Sequence, residues 1–391
     1  MGNVVPAMLA SVFTPTHHPE WLAAAAESLL AQSHRDWEWI VLPNGTAAPP
    51  LPDDPRIRVL GGFAERRGLP VGQLKRACCG AALGAVLVEL DHDDLLHPEA
   101  LAEVVRAVGG GADFVFSNFA EFHDIDGSPR QYPADSGWRY RDHEGPDGHP
   151  YREALAYPAD LPWLCHRTHH PNHIRAWSAE AYRRLGGHDP ALALADDFDL
   201  LLRTYAAGMR MEHLDRCLYY YRWTGGGNTS LERQAEIANS FSGVYARHAP
   251  ALYAGFCARH GLDALELAPE EAAGTGRAPG SAGLVTLRGW IRELGDLAGA
   301  LNECWRILAP GGVLRLEPPA GPPPPARAPE PSRGASPALR CAFSSISLAR
   351  VYPTPAHRAL GAAYLRADLS CVKRGLARNH PVWVEGPVPE G

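Results

Sequence analysis

The chain has no basic excess. Asp and Glu number 44 against 37 Lys and Arg in 391 residues, a formal net charge of -7. Nucleic-acid binding rests on clustered basic side chains that neutralise phosphates, so this balance gives no electrostatic footprint for nucleic acid. No apolar run approaches the roughly 18 residues that a membrane-crossing helix needs, which leaves peripheral contact as the form of membrane association open to the chain. Its start lacks a basic segment followed by an apolar one, so the sequence predicts no signal peptide and a cytoplasmic location. The eight cysteines (Cys78, Cys79, Cys165, Cys217, Cys257, Cys304, Cys341 and Cys371) show no Cys-X-X-Cys spacing. They read as buried or free thiols, although an even count leaves disulfides open. No repeat of fixed period is present, which excludes solenoids and propellers.

What is there suffices for a core. Apolar residues make up 46% of the chain, and its length has room for two domains. Strand signals at Ala7 to Phe13, Trp37 to Leu42, Ile57 to Leu60, Val86 to Leu90 and Asp113 to Asn118 alternate with helix signals. The helices are predicted after Pro19, over Val71 to Leu83 and over Leu95 to Val108. This alternation predicts βαβ units and a mostly parallel sheet flanked by helices. Asp126-Gly127 predicts a hairpin. Residues 129–162 are polar, aromatic and rich in Pro and Gly, and read as a long excursion with partial helix over Tyr151 to Ala156. Ser178 caps a helix stopped by Gly186-Gly187, Asp196 opens another, and Leu218 to Trp223 reads as a strand. Leu231 to His260 reads as helical. Residues 266–283 read as a linker between a domain over 1–265 and a smaller α/β unit over 284–391, in which 318–331 is proline-rich.

The central strand, Val86 to Leu90, ends in Asp91, Asp93 and Asp94. Carboxylates just past the carboxyl end of such a strand lie where open α/β sheets bind ligands. Like charges this close need an offset, and a divalent cation carrying phosphate oxygens is one. A solvated acidic turn before the next helix is the plainer alternative. The pair Asp196-Asp197 admits two readings as well: a general base, or ordinary first-turn acids. Lys75 is either a ligand-facing cation or a solvated helix lysine.

Four stretches carry a resemblance when taken in order. They are Ser11 to Thr16, Trp39 to Gly45, Leu90 to Asp94, and Gly186-Gly187-His188-Asp189 with Asp196 to Leu200. Together they resemble the family 2 inverting glycosyltransferases of GT-A (Rossmann-like) fold, over roughly residues 7–230. The resemblance implies a nucleotide-diphospho-sugar donor, a UDP-sugar first, and a glycan, lipid-linked or protein acceptor. Thr14 and Thr16 would lie under the nucleotide. Asn44 stands where the family has an acid that reads the base, and its amide can still pair with a uracil imide. Lys75 falls where the family has an Arg facing the nucleotide. Asp91 and Asp93 match the family's Asp-X-Asp, the first contacting the nucleotide's ribose or the metal and the second binding the metal, Mg²⁺ or Mn²⁺. Asp197 matches the general base, with Asp196 beside it. The family's late histidine ligand is absent: Thr224 follows Tyr221-Arg222-Trp223.

The run from Cys165 to His173 matches no familiar zinc spacing. It reads as the acceptor side of the cleft, with Trp163, His170, His173, His188 and Asp196 as its candidates. Trp163 and Trp177 flank the run, either to stack on a sugar or as core aromatics. Asn302 to Leu314 resembles the helix, Pro-Gly-Gly turn and strand of class I methyltransferases. The glycine-rich loop for S-adenosylmethionine is missing, so residues 284–391 read as a remnant without methyl transfer. Two other functions stay open: a non-catalytic sugar-nucleotide or glycan-binding module, and a bifunctional glycosyltransferase and methyltransferase.

Overall fold

Three of the first four strands are buried on both faces because helices cover both, and the strand at the sheet edge, Ile57–Val59, is not. β1 (Ala10–Thr16), β2 (Trp37–Pro43), β3 (Ile57–Val59) and β4 (Val86–Glu89) pair in parallel in the order β3-β2-β1-β4. Successive side chains of a strand face opposite sides. Val12, Trp39 and Val88 accordingly pack with α1 (Leu22–Leu30) and α3 (Ala100–Gly109), through Leu22, Leu29, Leu101 and Val104. Phe13, Ile40 and Leu87 face the other way, against Leu74 and Cys78 of α2 (Val71–Ala81).

This computed structural model describes residues 8–47, 50–63, 65–66, 68–132, 138–161, 164, 170–224, 234–268, 270–272, 274–288, 300, 303–304, 306–317 and 382–384. The chain forms two units, 1–159 with 169–234, and 160–168 with 235–391.

In the first unit the chain leaves β1 toward β2 and β3, then returns to place β4 on the other side of β1. That reversal opens a crevice beyond the carboxyl ends of β1 and β4, the usual ligand position in open α/β sheets. Next to β4 lies β10 (Arg175–Ser178), antiparallel to it and to β6 (Phe114–His123). β11 (Met211–Trp223) runs parallel along β6 and takes β5 (Leu95–Leu96) on its far side. The result is an α/β sheet with flanking helices and a GT-A-like order. Leu95 and Leu96, expected to open a helix, pair with Tyr220 and Tyr219 instead.

The Asp126-Gly127 hairpin forms, pairing β6 with β7 (Pro129–Arg130). Tyr151 to Ala156 is not helical. Tyr151 to Ala154 belong to β9 (Pro150–Ala154), which pairs with β8 (Tyr140–Glu144) and with β6. Cross-strand contacts outweigh local propensity there. Arg141 clamps Glu153, and the Tyr151 ring lies 4.8 Å from that of Tyr220.

α4 (Ala179–Arg184) is capped as expected, Ser178 Oγ accepting from Ala181 N. Gly187 has φ +70, and a Cβ there would lie 2.7 Å from the Tyr182 ring, so no other residue fits this stop. α5 (Asp196–Ala206) follows. The second unit contains α6 (Gln234–His260) from residue 235 onward. Its sheet is parallel, in the order β12 (Asp263–Leu267), β13 (Ala282–Arg288), β14 (Leu308–Glu317), β15 (Val382–Val384). Residues 266–283, read above as a linker, run between two neighbouring strands of this sheet. Arg277 pairs with Asp263, and Thr275 with Glu303. Pro310-Gly311-Gly312 lies within β14, where the register slips between Ala282 and Leu284. The proline-rich segment 318–331 lies outside the described residues.

Two glycines near β4 give opposite expectations. A Cβ on Gly84 would lie 2.5 Å from Leu9 O and 2.6 Å from Ser11 Oγ, whereas one on Gly80, inside α2, meets nothing within 4 Å. Gly84→Ala should destabilise by about 1–3 kcal/mol through overpacking. Gly80→Ala should stabilise by about 0.5–1 kcal/mol through helix propensity. Denaturant midpoints of the two variants, read against the parent chain, check both signs.

Candidate active site

Arg175 opens β10 directly across from Glu89, the last residue of β4. Its Nε and Nη2 donate to the two carboxylate oxygens of Glu89, each at 3.1 Å. Its Nη1 pairs with Asp197 Oδ2, and its Nη2 also donates to His173 Nε2 at 2.8 Å. Lys75 reaches in from α2, with Nζ 2.5 Å from Glu89 Oε1 and 3.2 Å from Asp196 Oδ2. His173 Nε2 lies 3.4 Å from Asp91 Oδ2. One ionic network therefore joins the end of β4, the start of β10 and the start of α5.

Burial and neighbouring charges compete over the protonation states. It pushes the Glu89 carboxyl up, but Arg175 and Lys75 outweigh it and hold Glu89 at about 2. Burial likewise pushes Asp91 up, and His173, Lys75 and Arg175 hold it below the usual carboxylate range. Asp197 follows the same logic, with Arg175 the main opposing charge. At Asp196 burial wins over Lys75, and the carboxyl is pushed up to about 6. Burial tends to neutralise Lys75, yet Asp196, Glu89, Asp197 and Asp91 together hold its ammonium protonated.

The two acids at the start of α5 differ in access. The Asp197 side chain is 21% exposed and that of Asp196 is 4% exposed. Asp197 Oδ1 accepts from Phe198 N at 2.7 Å, so both oxygens are oriented. Asp196 faces inward to Lys75 and to His188, whose Nε2 lies 3.7 Å away. His188 is fully buried, its Nδ1 lies 2.8 Å from the Tyr182 hydroxyl, and burial with Lys75 nearby lowers it to about 3. Before α5, Ala195 adopts φ 60, a left-handed conformation unusual for a residue with a Cβ. Strain of this kind costs about 1–3 kcal/mol and tends to gather at functional sites. The preceding loop is fastened from both helices. Arg76 donates to Gly186 O, Gly72 N to Leu192 O, and Arg203 to Leu185 O and Gly187 O.

The acidic loop after β4 is held by β11. Tyr219 Oη donates to Asp94 Oδ2 at 2.7 Å and accepts from Asp91 N at 3.1 Å, and its ring stacks on His173. Arg222 N donates to Asp94 Oδ1, and Arg222 Nε to the Asp93 carbonyl. Asp94 is fully buried and serves this scaffold. Burial and the Asp91 charge push the Asp93 carboxyl up to about 6. Ligand atoms of Glu89, Asp91 and His173 lie within 4.8 Å of one another. Lys75 and Arg175 already occupy Glu89, and Arg175 occupies His173 Nε2. This cluster does not include Asp93, whose link to Asp91 is the charge that helps push its carboxyl up; of the cluster's members, Asp91 is the one carboxylate not clamped by Lys75 or Arg175, and it is a donor a hard divalent cation could use.

Other predicted residues fall as follows. Thr14 does not turn its hydroxyl to the crevice: it donates to Leu90 O at 2.7 Å and accepts from Trp39 Nε1 at 2.9 Å. Thr16 Oγ1 accepts from His18 N. Asn44 sits at the end of β2, with N donating to Thr16 O. Its Oδ1 is buried with no hydrogen-bond partner among the described residues. Lys75 is buried in the network, not solvated. His170 packs against Phe116 and Tyr157, away from this network. Trp177 is a core aromatic: fully buried, with its indole nitrogen donating to Thr204 Oγ1 at 3.2 Å. Trp163 and residues 165–169 lie outside the described residues.

Sequence reasoning missed Glu89 and Arg175, and set His173 on the acceptor side when it lies against Asp91. A charged residue in the last position of a buried strand was the available signal for Glu89. Nothing local marks Arg175 as its partner, since 86 residues separate them. Also unforeseen, His17 and His18 pack against His92, the residue between the two aspartates, at ring-centroid distances of 5.1 and 6.0 Å.

No family model matches the chain. Over 243 residues it is 28% identical to the uncharacterized protein y4gI of Sinorhizobium fredii (strain NBRC 101917 / NGR234), covering 59% of this chain and 24% of that protein. Over 243 residues it is also 26% identical to the O-antigen biosynthesis protein RfbC of Myxococcus xanthus, covering 59% and 17%. The chain thus spans less than a quarter of the length of these relatives. Among solved structures, S. aureus TarS 1-349 superposes with a TM-score of 0.43 at 16% identity, covering 65% of this chain and 72% of that one. Its complex with UDP-GlcNAc gives a TM-score of 0.45 at 13% identity, covering 76% and 79%. Likeness at this level does not define a fold, and the architecture stands on the sheet order described above.

The raised Asp196 carboxyl predicts a pH signature in stability. Its pKa is about 6 in the folded chain against about 4 when unfolded, so between those values the folded state binds the extra proton. The contribution of Asp196 is thus most favourable below about pH 4 and is lost as pH rises through 6. Asp196→Asn removes this term. Relative to the parent chain, the variant should gain stability steadily from pH 4 to 6.5 in denaturant unfolding. A constant difference across that window would contradict the assignment.

Proposed function

We propose that the chain is a metal-dependent inverting glycosyltransferase of the family 2 type. It would move a sugar from a nucleoside-diphospho-sugar, a UDP-sugar first, to a hydroxyl of a glycan, lipid-linked sugar or protein. The observation that carries this reading is the run of close polar neighbours Asp91, His173, Arg175 and Asp197. It ties an acidic strand end, suited to a cation and a diphosphate, to a solvent-reachable carboxylate at a helix start. The O-antigen biosynthesis protein among the relatives supports a role in glycan assembly.

Asp91 and Asp93 would hold Mg²⁺ or Mn²⁺, which when bound supplies positive charge beside the leaving diphosphate. Asn44 would read the base, and its buried Oδ1, free of protein partners among the described residues, supports that reading as the atom that would accept from a base imide. Asp197 takes the acceptor proton as its oxygen attacks the anomeric carbon. The bond from that carbon to the phosphate oxygen breaks, and the nucleoside diphosphate leaves with the electron pair. The α5 dipole and Arg175 keep Asp197 ionised before the reaction. We place this reaction in the cytoplasm, and read residues 284–391 as a methyltransferase-like remnant without methyl transfer.

Asp197→Asn should keep donor affinity and lose turnover by about 10²–10⁴-fold, the usual contribution of a general base. Asp196→Asn should lose less, because that carboxyl faces Lys75. Steady-state rates with a donor and acceptor drawn from a nucleotide-sugar panel check this. Full activity in both variants would remove the mechanism from α5.

Asp93→Ala should abolish Mn²⁺-dependent donor binding and leave the fold intact. Calorimetry that finds equal affinity for this variant, or for the parent chain in chelator, would exclude the metal assignment.

A further inference from the structure

We propose that Arg175 is a positioning residue that aims and acidifies Asp197. This rests on the reading of Asp197 as base and adds a residue that no sequence motif marked. The argument is geometric. Arg175 is buried, at 7% exposure, and its guanidinium is anchored on Glu89 through two nitrogens in the planar fork that suits a carboxylate. Glu89 is itself immobilised, at 1% exposure, by its place at the end of β4 and by Lys75. With Nε and Nη2 committed to Glu89, the remaining nitrogen, Nη1, has one direction to point, and Asp197 Oδ2 lies there.

Asp197 Oδ1 is meanwhile held by Phe198 N. Each oxygen keeps a further lone pair, so the carboxylate is oriented without being blocked. The remaining charged or titratable groups around it are Lys75, Asp196, Glu89 and His188, with no hydrogen bond from any of them to Asp197 among the described residues. Arg175 is thus the cation that sets both the angle and the basicity of Asp197. A lysine could supply the charge, but its single ammonium cannot clamp Glu89 at two points and reach Asp197 as well.

The test measures release of UDP from a panel of UDP-hexoses with Mn²⁺, water serving as acceptor. The parent chain, Arg175→Gln, Arg175→Lys and Asp197→Asn are compared across pH 4–9. The acid limb of kcat/KM reports the free base. In Arg175→Gln that limb should move up by about one to three pH units, the effect of losing an adjacent cation. Its kcat should fall about 10²-fold at pH 7, as for a misaimed catalytic group. Calorimetric affinity for UDP should change far less than kcat, and Arg175→Lys should recover part of the pH shift and less of the rate. Where the single variant does not fold, Glu89→Gln combined with Arg175→Gln removes the buried charge together with its partner and should show the same shift. A loss of rate with an unmoved acid limb would mean that Arg175 only supports the fold, and so would a parental rate in Arg175→Gln. Either result leaves Asp197 as base. Parental turnover in Asp197→Asn would instead overturn the base itself, and this proposal with it.

Discussion

The contact between Glu89 and Arg175 holds the rest of the site. Burying an unpaired carboxylate or guanidinium costs several kcal/mol, so each makes the other's position tolerable. Register puts them opposite one another: Arg175 is the cross-strand partner of Glu89 where β10 runs antiparallel to β4. A slip of one residue would turn Arg175 to the opposite face and leave Glu89 against Lys75 alone. The pair thereby ties the alignment of two strands to the geometry of a cleft.

From this pair the charges extend in two directions. The His173 ring, an acceptor for Arg175, lies between the pair and Asp91 of the acidic loop, and through Nη1 of Arg175 the charges reach Asp197. Lys75 closes the arrangement from α2 by touching both Glu89 and Asp196. Each cation answers more than one acid, which explains why neighbouring carboxyls separate so far. Glu89 sits at about 2 and Asp196 at about 6. Pairs of acids pushed apart by their surroundings are what acid–base chemistry requires. Two adjacent aspartates at one helix start therefore differ in kind: one is a buried partner of Lys75, the other a solvent-reachable group under Arg175.

Much of the fold was legible because local patterns coincided with tertiary outcomes. Doubly buried strands read as continuous apolar runs, and Ser178 with Gly186-Gly187 bracketed α4 as expected. The misreadings share one cause. Tyr151 to Ala154 became a strand, and so did Leu95 with Leu96, because neighbouring strands supplied partners that no local pattern announces. The span 266–283 has a linker's composition. Even so, it only crosses from one strand to the next in a parallel sheet.

The site divides along the same line. The places of Asp91, Asp93 and Asp197 in the fold could be read from sequence because each follows a local element boundary: carboxylates past a strand end, or in the first turn of a helix. Which of Asp196 and Asp197 reaches the cleft could not be read, since facing depends on how α5 seats against α2. Nor could the threonines be sorted, and Thr14 is spent on Leu90 and Trp39. The sequence by itself determined the alternation of strands and helices and the acids that end them, because those depend on periodicity and on neighbours a few residues away. Only the tertiary structure decided that Arg175 meets Glu89, that His173 lies against Asp91, and that Lys75 is buried. These contacts join residues as few as 14 positions apart, as in Lys75 with Glu89, and as many as 121, as in Lys75 with Asp196, and they follow from strand register and helix seating.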